Sequence, residues 1–260
     1  MKFKIPRFSR KAGNELGPKP RVPDGQRVYA IGDIHGRADL LGQMFDMIVE
    51  DLRVSSASEP MCVFLGDYVD RGQDSCGVLN LLTVRDFPES LVSLRGNHES
   101  LMLSFLSEPL NGDVWRNNGG IETLHSYGID VSRFRRGLDT QDVSEQFRSA
   151  LPSAHLQFLR QTRLSLSVGD YFFCHAGVRP GRALDEQQES DLTWIRDEFL
   201  ASERDHGKVI VHGHTPVLEP EVRPNRINID TGAYISGRLT ALVLEGEHRR
   251  FLSTGSRGLS

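Results

Sequence analysis

Four short segments of this chain combine aspartate, histidine and asparagine in patterns that can bind metal ions and phosphate. They are Gly32-Asp33-Ile34-His35-Gly36, Gly66-Asp67-Tyr68-Val69-Asp70-Arg71-Gly72, Arg95-Gly96-Asn97-His98-Glu99 and His212-Gly213-His214-Thr215-Pro216. Each segment follows an apolar run. Together they supply carboxylate, amide and imidazole ligands for two adjacent divalent ions, and leave a histidine and an arginine over. Metal-assisted hydrolysis of a phosphate ester needs this set of groups.

The spacing within the segments favours shared metal ligation. Asp33 and His35 lie two residues apart, so in an extended chain both side chains point the same way and can reach one ion. Asp67 ends the next apolar run and can bridge two ions with its two oxygens, while Asn97 offers a neutral amide oxygen. A mixture of Asp, Asn and His suits Mn²⁺, Fe or Zn²⁺ better than Ca²⁺, which prefers oxygen ligands alone.

Two further histidines complete the candidate ligand set. His175 directly follows an apolar run that ends at Cys174, and His214 lies between a glycine and a threonine. Taken alone, such a residue is commonly turn chemistry or a half-buried polar side chain. Four segments in order, each after a strand-like run, are hard to reconcile with that ordinary interpretation.

His98 follows a ligand position and has no ligand role itself, so it is available for proton transfer. Cleavage of an alkyl phosphate ester requires a proton for a poor alkoxide leaving group, and a histidine beside the metals is a natural general acid. Asp70 would orient and stabilise that imidazole, as a carboxylate commonly does for a ring N–H. The alternatives are a histidine that packs beneath its loop and an aspartate that pairs with an arginine at the surface.

The motifs GDIHG, GDYVDRG, RGNHE and HGHTP resemble, residue for residue, the signatures of phosphoprotein phosphatases. These form the serine/threonine-specific branch of the calcineurin-like metallophosphoesterases, here in its bacterial type. The matched span covers about residues 29–232. The ligands that the resemblance implies are, for the first ion, Asp33, His35 and Asp67 and, for the second, Asp67, Asn97, His175 and His214. It implies two divalent ions, Mn²⁺ first with Fe or Zn²⁺ as alternatives, and a metal-bound hydroxide as nucleophile.

Arginine is the expected phosphate-binding residue, because a guanidinium fork binds phosphate oxygens in a bidentate manner. The resemblance places a phosphate-contacting arginine at Arg71, and Arg95 is left between a structural and a binding role. Arg196 is the candidate for a second phosphate arginine, and the alternative is a helix-surface arginine paired with a neighbouring carboxylate. The residues expected to carry catalysis and phosphate binding are therefore His98, Asp70, Arg71 and Arg196.

The elements that must position these residues follow from the hydrophobic pattern. Short β-prone runs are predicted at residues 28–31, 62–65, 91–94, 171–174, 209–211, 227–229 and 241–244. Helical periodicity is found at residues 39–52, 76–83, 100–106, 143–151 and 154–160. Alternating strands and helices predict an α/β layered domain, in which ligands collect at the carboxyl ends of the strands. The resemblance adds that the layers form an αββα sandwich in a single domain.

Composition and charge limit the classes of function that the chain is expected to have. The chain has 260 residues and a formal net charge of -4, so no global field favours a nucleic acid or a membrane partner. Residues 1–26 are predicted to be a basic, proline-containing arm, and residues 27–260 the metallophosphoesterase catalytic domain. The three cysteines lack C-x-x-C spacing and fit a reducing, cytoplasmic setting. The chain shows neither an apolar stretch of about 18 residues nor an apolar signal core.

The expected substrate is phosphoserine or phosphothreonine in a protein or peptide. The alternative is diadenosine tetraphosphate, because symmetrical bis(5'-nucleosyl)-tetraphosphatases resemble the same motifs. A dinucleotide needs an aromatic or apolar wall for its second nucleoside, and the candidates are Trp115, Tyr127, Trp194 and Tyr234. Spacing from Arg196 favours a core position for Trp194, and the sequence shows no paired aromatic clamp, so a phosphopeptide is expected to be preferred. A catalytically silent binding module is disfavoured because every ligand position is filled.

Overall fold

Residues 19–54, 59–84 and 90–255 are the part of the chain that the computed structural model describes. The strands are β1 (Gln26–Ile31), β2 (Glu59–Phe64), β3 (Ser90–Ser93), β4 (Ser165–Val168), β5 (Tyr171–Cys174), β6 (Val209–His212), β7 (Glu221–Val222), β8 (Arg226–Asn228), β9 (Thr240–Glu245) and β10 (His248–Ser253). The helices are α1 (Ala38–Arg53), α2 (Ser75–Val84), α3 (Asn97–Ser107), α4 (Gly112–Trp115), α5 (Ile121–Ser126), α6 (Thr140–Ala150), α7 (Ser153–Gln161), α8 (Glu189–Trp194), α9 (Asp197–Leu200) and α10 (Ala233–Ser236).

The strands form two mixed sheets with parallel centres. The first sheet has the order β10-β9-β1-β2-β3 and the second the order β4-β5-β6-β8-β7. Strands β1, β2 and β3 are parallel to one another, as are β5, β6 and β8. Antiparallel partners flank these strands at β9, β4 and β7. Each sheet therefore gathers the carboxyl ends of its parallel strands at one edge.

The two faces of each strand pack against different layers. In β1, Val28 and Ala30 belong to the core between the two sheets, whereas Tyr29 and Ile31 pack with the helices on the outer side. This alternation follows from the two-residue period of a strand. The first sheet is therefore buried on both faces.

The second sheet repeats this arrangement with its own outer layer. Phe172 of β5 and Ile210 of β6 pack with Leu192 of α8 and Phe199 of α9. The layers thus follow in the order helix, sheet, sheet, helix, and the predicted αββα sandwich in a single domain is confirmed.

All seven predicted strands and all five predicted helices are present, with ends shifted by three residues at most. The pattern does not predict β4, β7 and β10. All three are edge strands, and an edge strand carries polar or charged residues that discourage pairing with other chains. In β10 the residues His248, Arg249 and Arg250 are exposed, so the apolar signal is missing there.

The arm predicted for residues 1–26 falls mostly outside the described residues, which begin at Lys19. The described end of this segment packs against the sandwich. Val22 is fully buried, and its N–H donates to the Gly246 carbonyl of the first sheet's β9–β10 turn at 3.1 Å. The backbone N–H of Arg21 donates to the carboxylate of Asp170, in the β4–β5 turn, at 2.9 Å. The segment therefore joins the two sheets.

All three cysteines are free thiols; Cys62 and Cys174 are buried and Cys76 is half-buried. A cytoplasmic setting stays a prediction. None of the helices within residues 19–54, 59–84 and 90–255 combines the length and the apolar composition that a bilayer crossing requires.

Candidate metal centre

The predicted ligands lie together at the carboxyl ends of the parallel strands of both sheets. The residues at this edge are Asp33 and His35 after β1, Asp67 after β2, Asn97 after β3, His175 after β5 and His214 after β6. Segments far apart in sequence meet here because both sheets contribute strand ends to the same place.

Asp67 is at the centre of the cluster. Its Oδ2 lies 3.4 Å from His35 Nε2, 3.3 Å from His175 Nε2 and 3.8 Å from His98 Nε2. All four side chains are buried. Burial alone would raise the pKa of Asp67, but the imidazoles of His175 and His98 hold this pKa well below its usual range. A carboxylate shared in this way is suited to bridge two ions.

The candidate ligands of the second ion meet around His175. Its Nε2 lies 3.0 Å from Asn97 Oδ1 and 3.1 Å from His214 Nδ1. Its Nδ1–H donates to the Leu65 carbonyl at 3.0 Å, which leaves Nε2 for a metal. Burial lowers the pKa of His175, but the carboxylates led by Asp67 outweigh burial and raise this pKa to about 9.

The candidate ligands of the first ion have a similar arrangement. His35 donates its Nδ1–H to the Val69 carbonyl at 2.9 Å, so its Nε2 faces the cluster. Asp33 Oδ2 accepts the backbone N–H of His214 at 3.0 Å. Burial and the nearby carboxylate of Asp230 raise the pKa of Asp33 well above its usual range. The sequence does not single out Asp230, a buried carboxylate beside these ligands.

The donor set fits divalent metal ions. Asp33 Oδ1 is buried and has no hydrogen-bond partner among the described residues. An unpaired buried polar atom costs about 1–3 kcal/mol, a cost that a bound ion relieves for its ligand atoms. Two groups of possible ligand atoms, His35–Asp67–His98 and Asp67–His175–His214, each lie within 4.8 Å and share Asp67. Mixed nitrogen and oxygen donors suit Mn²⁺, Fe or Zn²⁺.

His98 has a hydrogen-bonding environment unlike that of the candidate ligands. Its Nδ1 lies 2.7 Å from Asp70 Oδ2, and Asp70 is fully buried. The same carboxylate accepts the indole N–H of Trp115 at 2.9 Å and the hydroxyl of Thr123 at 2.6 Å. Burial lowers the pKa of His98, but Asp67 and Asp70 outweigh burial and raise it. Asp70 is therefore not a surface partner of an arginine; it holds the imidazole.

Glu99 anchors the loop that carries Asp67, a role that the motif alone does not reveal. Its Oε2 accepts the backbone N–H groups of Asp67 at 2.8 Å and Gly96 at 2.9 Å. Its Oε1 accepts those of Tyr68 at 2.8 Å and Val69 at 3.4 Å. Burial and the charge of Asp67 raise the pKa of Glu99 to about 7. The sequence signal is a glutamate three residues into a helix, the position from which it can bind free N–H groups.

The backbone of the centre is strained. The non-glycine residues with positive φ include His35 (46°), Asp67 (52°), Asp70 (72°), Arg71 (66°) and His214 (65°). Such left-handed residues are uncommon and cluster at functional sites. Glycine allows the loops to approach closely: a Cβ at Gly96 would lie 2.0 Å from Asp67 Oδ1.

Arg71 and Tyr234 lie at the same centre. The guanidinium of Arg71 donates to His35 Nε2 at 2.9 Å, and its Cζ lies 5.2 Å from the centroid of the Tyr234 ring. The rings of Tyr234 and His35 meet edge to face at 5.2 Å. Tyr234, one of the four candidate wall residues, therefore lines the site.

Arg196 is exposed at the start of α9. Burial and His175 lower the pKa of His214 to about 2; Asp67 opposes them, and Arg196 adds to the lowering. Glu198, a carboxylate close to Arg196 in sequence, pairs with Arg179 at 2.7 Å.

The core position favoured for Trp194 is wrong. Its side chain is 41% exposed, and its ring lies 6.1 Å from that of His214. Helix α8 ends at this residue after six residues, so the periodicity of a longer helix does not apply.

Trp115 is 1% exposed and cannot be a cleft wall. Tyr127 packs edge to face on Phe147 in the helical core.

The alternative left open for Arg95 is resolved by its contacts. Arg95 donates to the Thr162 hydroxyl at 3.0 Å and to the Leu159 carbonyl at 3.4 Å, which is a structural role. Residues 116–120 connect α4 to α5, and the Gly119 carbonyl accepts the N–H of Arg71 at 3.2 Å. This segment supports the Arg71 loop.

Comparison with known proteins identifies a family for this chain. Residues 26–237 match the family model of the calcineurin-like phosphoesterases. The asymmetrical bis(5'-nucleosyl)-tetraphosphatase PrpE of Oceanobacillus iheyensis is 24% identical, over 89% of this chain and 93% of that protein. Serine/threonine-protein phosphatase 2 of Salmonella typhimurium is 27% identical, over 83% of this chain and 91% of that protein. A crystal structure provisionally named as a diadenosine tetraphosphatase shares the fold, with a TM-score of 0.61 and 21% identity over 93% of this chain and 100% of that chain.

Proposed function

This chain belongs to the calcineurin-like phosphoesterase family and is a metal-dependent phosphatase, and we propose that it acts on phosphoserine and phosphothreonine in proteins. Relatives carry two kinds of name, serine/threonine-protein phosphatase and asymmetrical bis(5'-nucleosyl)-tetraphosphatase. The choice between these substrates therefore depends on the chemistry of the site.

The proposed metal centre contains two divalent ions, with Mn²⁺ preferred. Two such ions supply Lewis-acid activation of water and of the phosphoryl oxygens. The residues proposed to hold them are Asp33, His35 and Asp67 for one ion and Asp67, Asn97, His175 and His214 for the other. The closest contacts of Asp67 Oδ2, to His175 and His35, support a bridging role for this carboxylate.

The phosphoryl group is proposed to be bound by arginine. Arg71 donates to His35, and its guanidinium lies 5.2 Å from the centroid of the Tyr234 ring. Arg196 is the second proposed phosphate arginine, and its charge is among those that lower the pKa of His214. Guanidinium groups bind phosphoryl oxygens and neutralise their charge.

His98 is proposed to protonate the leaving oxygen from Nε2. Its Nδ1–H donates to Asp70, and Asp70 is itself fixed by Trp115 and Thr123. This arrangement keeps the imidazole in one orientation and stabilises its protonated form. The Nε2 atom that would carry the proton lies 3.8 Å from Asp67 Oδ2, so it is beside the proposed metal centre.

The His98–Asp70 pair is the observation that favours a phosphomonoester. A serine or threonine alkoxide is strongly basic and leaves with a proton, so it gains from a positioned general acid. A nucleoside phosphate released from a phosphoanhydride is a weak base and leaves without one. A buried pair fixed by Trp115 and Thr123 would be of little use to the second reaction.

A specific observation favours the second candidate, a dinucleoside tetraphosphate. Trp194 is exposed beside His214, and an aromatic wall is what a nucleoside requires. The relatives with nucleotidase names are asymmetrical, whereas the alternative expected from the sequence is the symmetrical type.

A parallel assay tests the proposal. We expect a higher kcat/KM for a phosphoserine peptide than for diadenosine tetraphosphate, with Mn²⁺ supplied to both reactions. A preference of about tenfold or more for the dinucleotide would overturn the proposal, since kcat/KM compares the two transition states directly.

A further inference from the structure

Two large apolar side chains are exposed close in sequence to residues of the candidate metal centre. Leu218 lies four residues after His214 and is 91% exposed. Ile235 directly follows Tyr234 and is 71% exposed. Single exposed apolar residues are common, but neighbouring ones beside a site are typical of a binding surface.

The two loops are fixed against each other on both sides of Leu218. The N–H of Val217 donates to the Asp230 carbonyl at 2.9 Å. The carboxylate of Glu219 pairs with Arg238 at 2.8 Å. The loop that carries Leu218 is thus held to the segment that carries α10 and Ile235. A surface that is already ordered loses little conformational entropy on binding.

Tyr234 makes this surface continuous with the centre. Its ring contacts the ring of His35 at 5.2 Å and the guanidinium of Arg71 at 5.2 Å. Ile235 is the next residue in the same short helix, α10. Ile235 therefore directly follows a residue of the centre, and the loop of Leu218 is bonded to the same segment of the chain.

We propose that Leu218 and Ile235 form an apolar rim that binds apolar side chains adjacent to the phosphorylated residue of a polypeptide substrate. This inference rests on the proposed function, because only a polypeptide presents side chains on both sides of its phosphoryl group. Covering about 50 Å² of apolar surface at about 25 cal/mol per Å² changes Kd by roughly eightfold. The rim therefore selects among phosphorylation sites by their neighbouring residues.

The test measures the binding of two peptides that cannot be hydrolysed. Both contain a phosphonate analogue of phosphoserine; one has leucines and the other serines on both sides of it. Fluorescence anisotropy with Mn²⁺-loaded protein gives both Kd values. We expect the leucine peptide to bind wild-type protein roughly eightfold more tightly, and the ratio to fall to about twofold or less in the Leu218→Ser/Ile235→Ser variant.

Val54→Ser is the matched control. Val54 is 83% exposed and follows α1 at the amino end of β2, the opposite end of the strand from Asp67. This variant should keep the wild-type ratio of Kd values. Equal binding of the two peptides by wild-type protein, or an unchanged ratio in the rim variant, would overturn the inference. Phosphate release from the parent phosphopeptides is followed separately: its absence refutes the proposed function, while the Kd ratio still decides the rim.

Discussion

Replacing Glu99 by glutamine should destabilise the loop that presents Asp67. The Glu99 carboxylate accepts backbone N–H groups on both oxygens, from Gly96 and Asp67 on one and from Tyr68 and Val69 on the other. Glutamine keeps the shape but places an NH₂ group where one oxygen stood. One pair of N–H donors then faces another donor inside the protein.

The magnitude follows from the number of bonds lost. If the NH₂ group replaces Oε1, the buried N–H groups of Tyr68 and Val69 lose their acceptor, and each such loss costs about 1–3 kcal/mol. Because the bond from Val69 is long, at 3.4 Å, we expect a total cost of about 2–4 kcal/mol. For a domain of this size, about 1 kcal/mol lowers the Tm by roughly 2–4 °C. Glu99→Gln should therefore lower the Tm by roughly 5–15 °C. Because the loop carries the bridging candidate, metal affinity should also fall by about 10–100-fold.

Circular dichroism melting with and without Mn²⁺, together with a metal titration, measures both effects. The matched control is Glu203→Gln, since Glu203 is an exposed glutamate, and it should melt and bind metal as the wild type does. If Glu99→Gln has the Tm and the metal affinity of this control, the Asp67 loop does not depend on the hydrogen bonds of Glu99.

His98→Asn should slow hydrolysis of a phosphoserine peptide by about 10²–10⁴-fold but that of p-nitrophenyl phosphate by much less, because nitrophenolate leaves without a proton. The control is His125→Asn, since His125 is exposed. Equal slowing of both substrates would instead mean that His98 positions the metal or the substrate. Removal of residues 1–24 deletes Val22 from the core between the sheets and should lower the Tm by about 4–10 °C relative to removal of residues 1–18. Equal melting of the two truncated chains would show that the segment around Val22 contributes nothing to stability.

The strand ends and the polar side chains that gather there could be predicted from the sequence because both are local signals. Each ligand motif directly follows an apolar run, so the end of the strand and the first polar side chain are read together. Asp33 and His35, two residues apart, show how spacing alone places two side chains on one side of the chain. The αββα layering came from the resemblance, since apolar periodicity does not say which sheet a strand joins.

The supporting residues could not be predicted because their roles depend on contacts between distant segments. Trp115 is joined to Asp70, 45 positions away in the sequence, and a tryptophan after an irregular stretch gives no sign of that partner. Glu99 lies within a motif, but its four N–H partners are known only once two loops are placed together. Trp194 was misplaced because the helix that carries it ends too early for periodicity to apply.

Asp67 is proposed to join two metal ions in one hydrolytic centre, and the metal content of the purified protein is the decisive measurement. Elemental analysis of wild-type, Asp67→Asn and Asn97→Ala proteins, purified identically, should show about two divalent ions per wild-type chain. Asp67→Asn should lose more metal and more activity than Asn97→Ala, because one carboxylate neutralises part of the charge of both ions. A metal content in Asp67→Asn equal to that of the wild type would contradict the account.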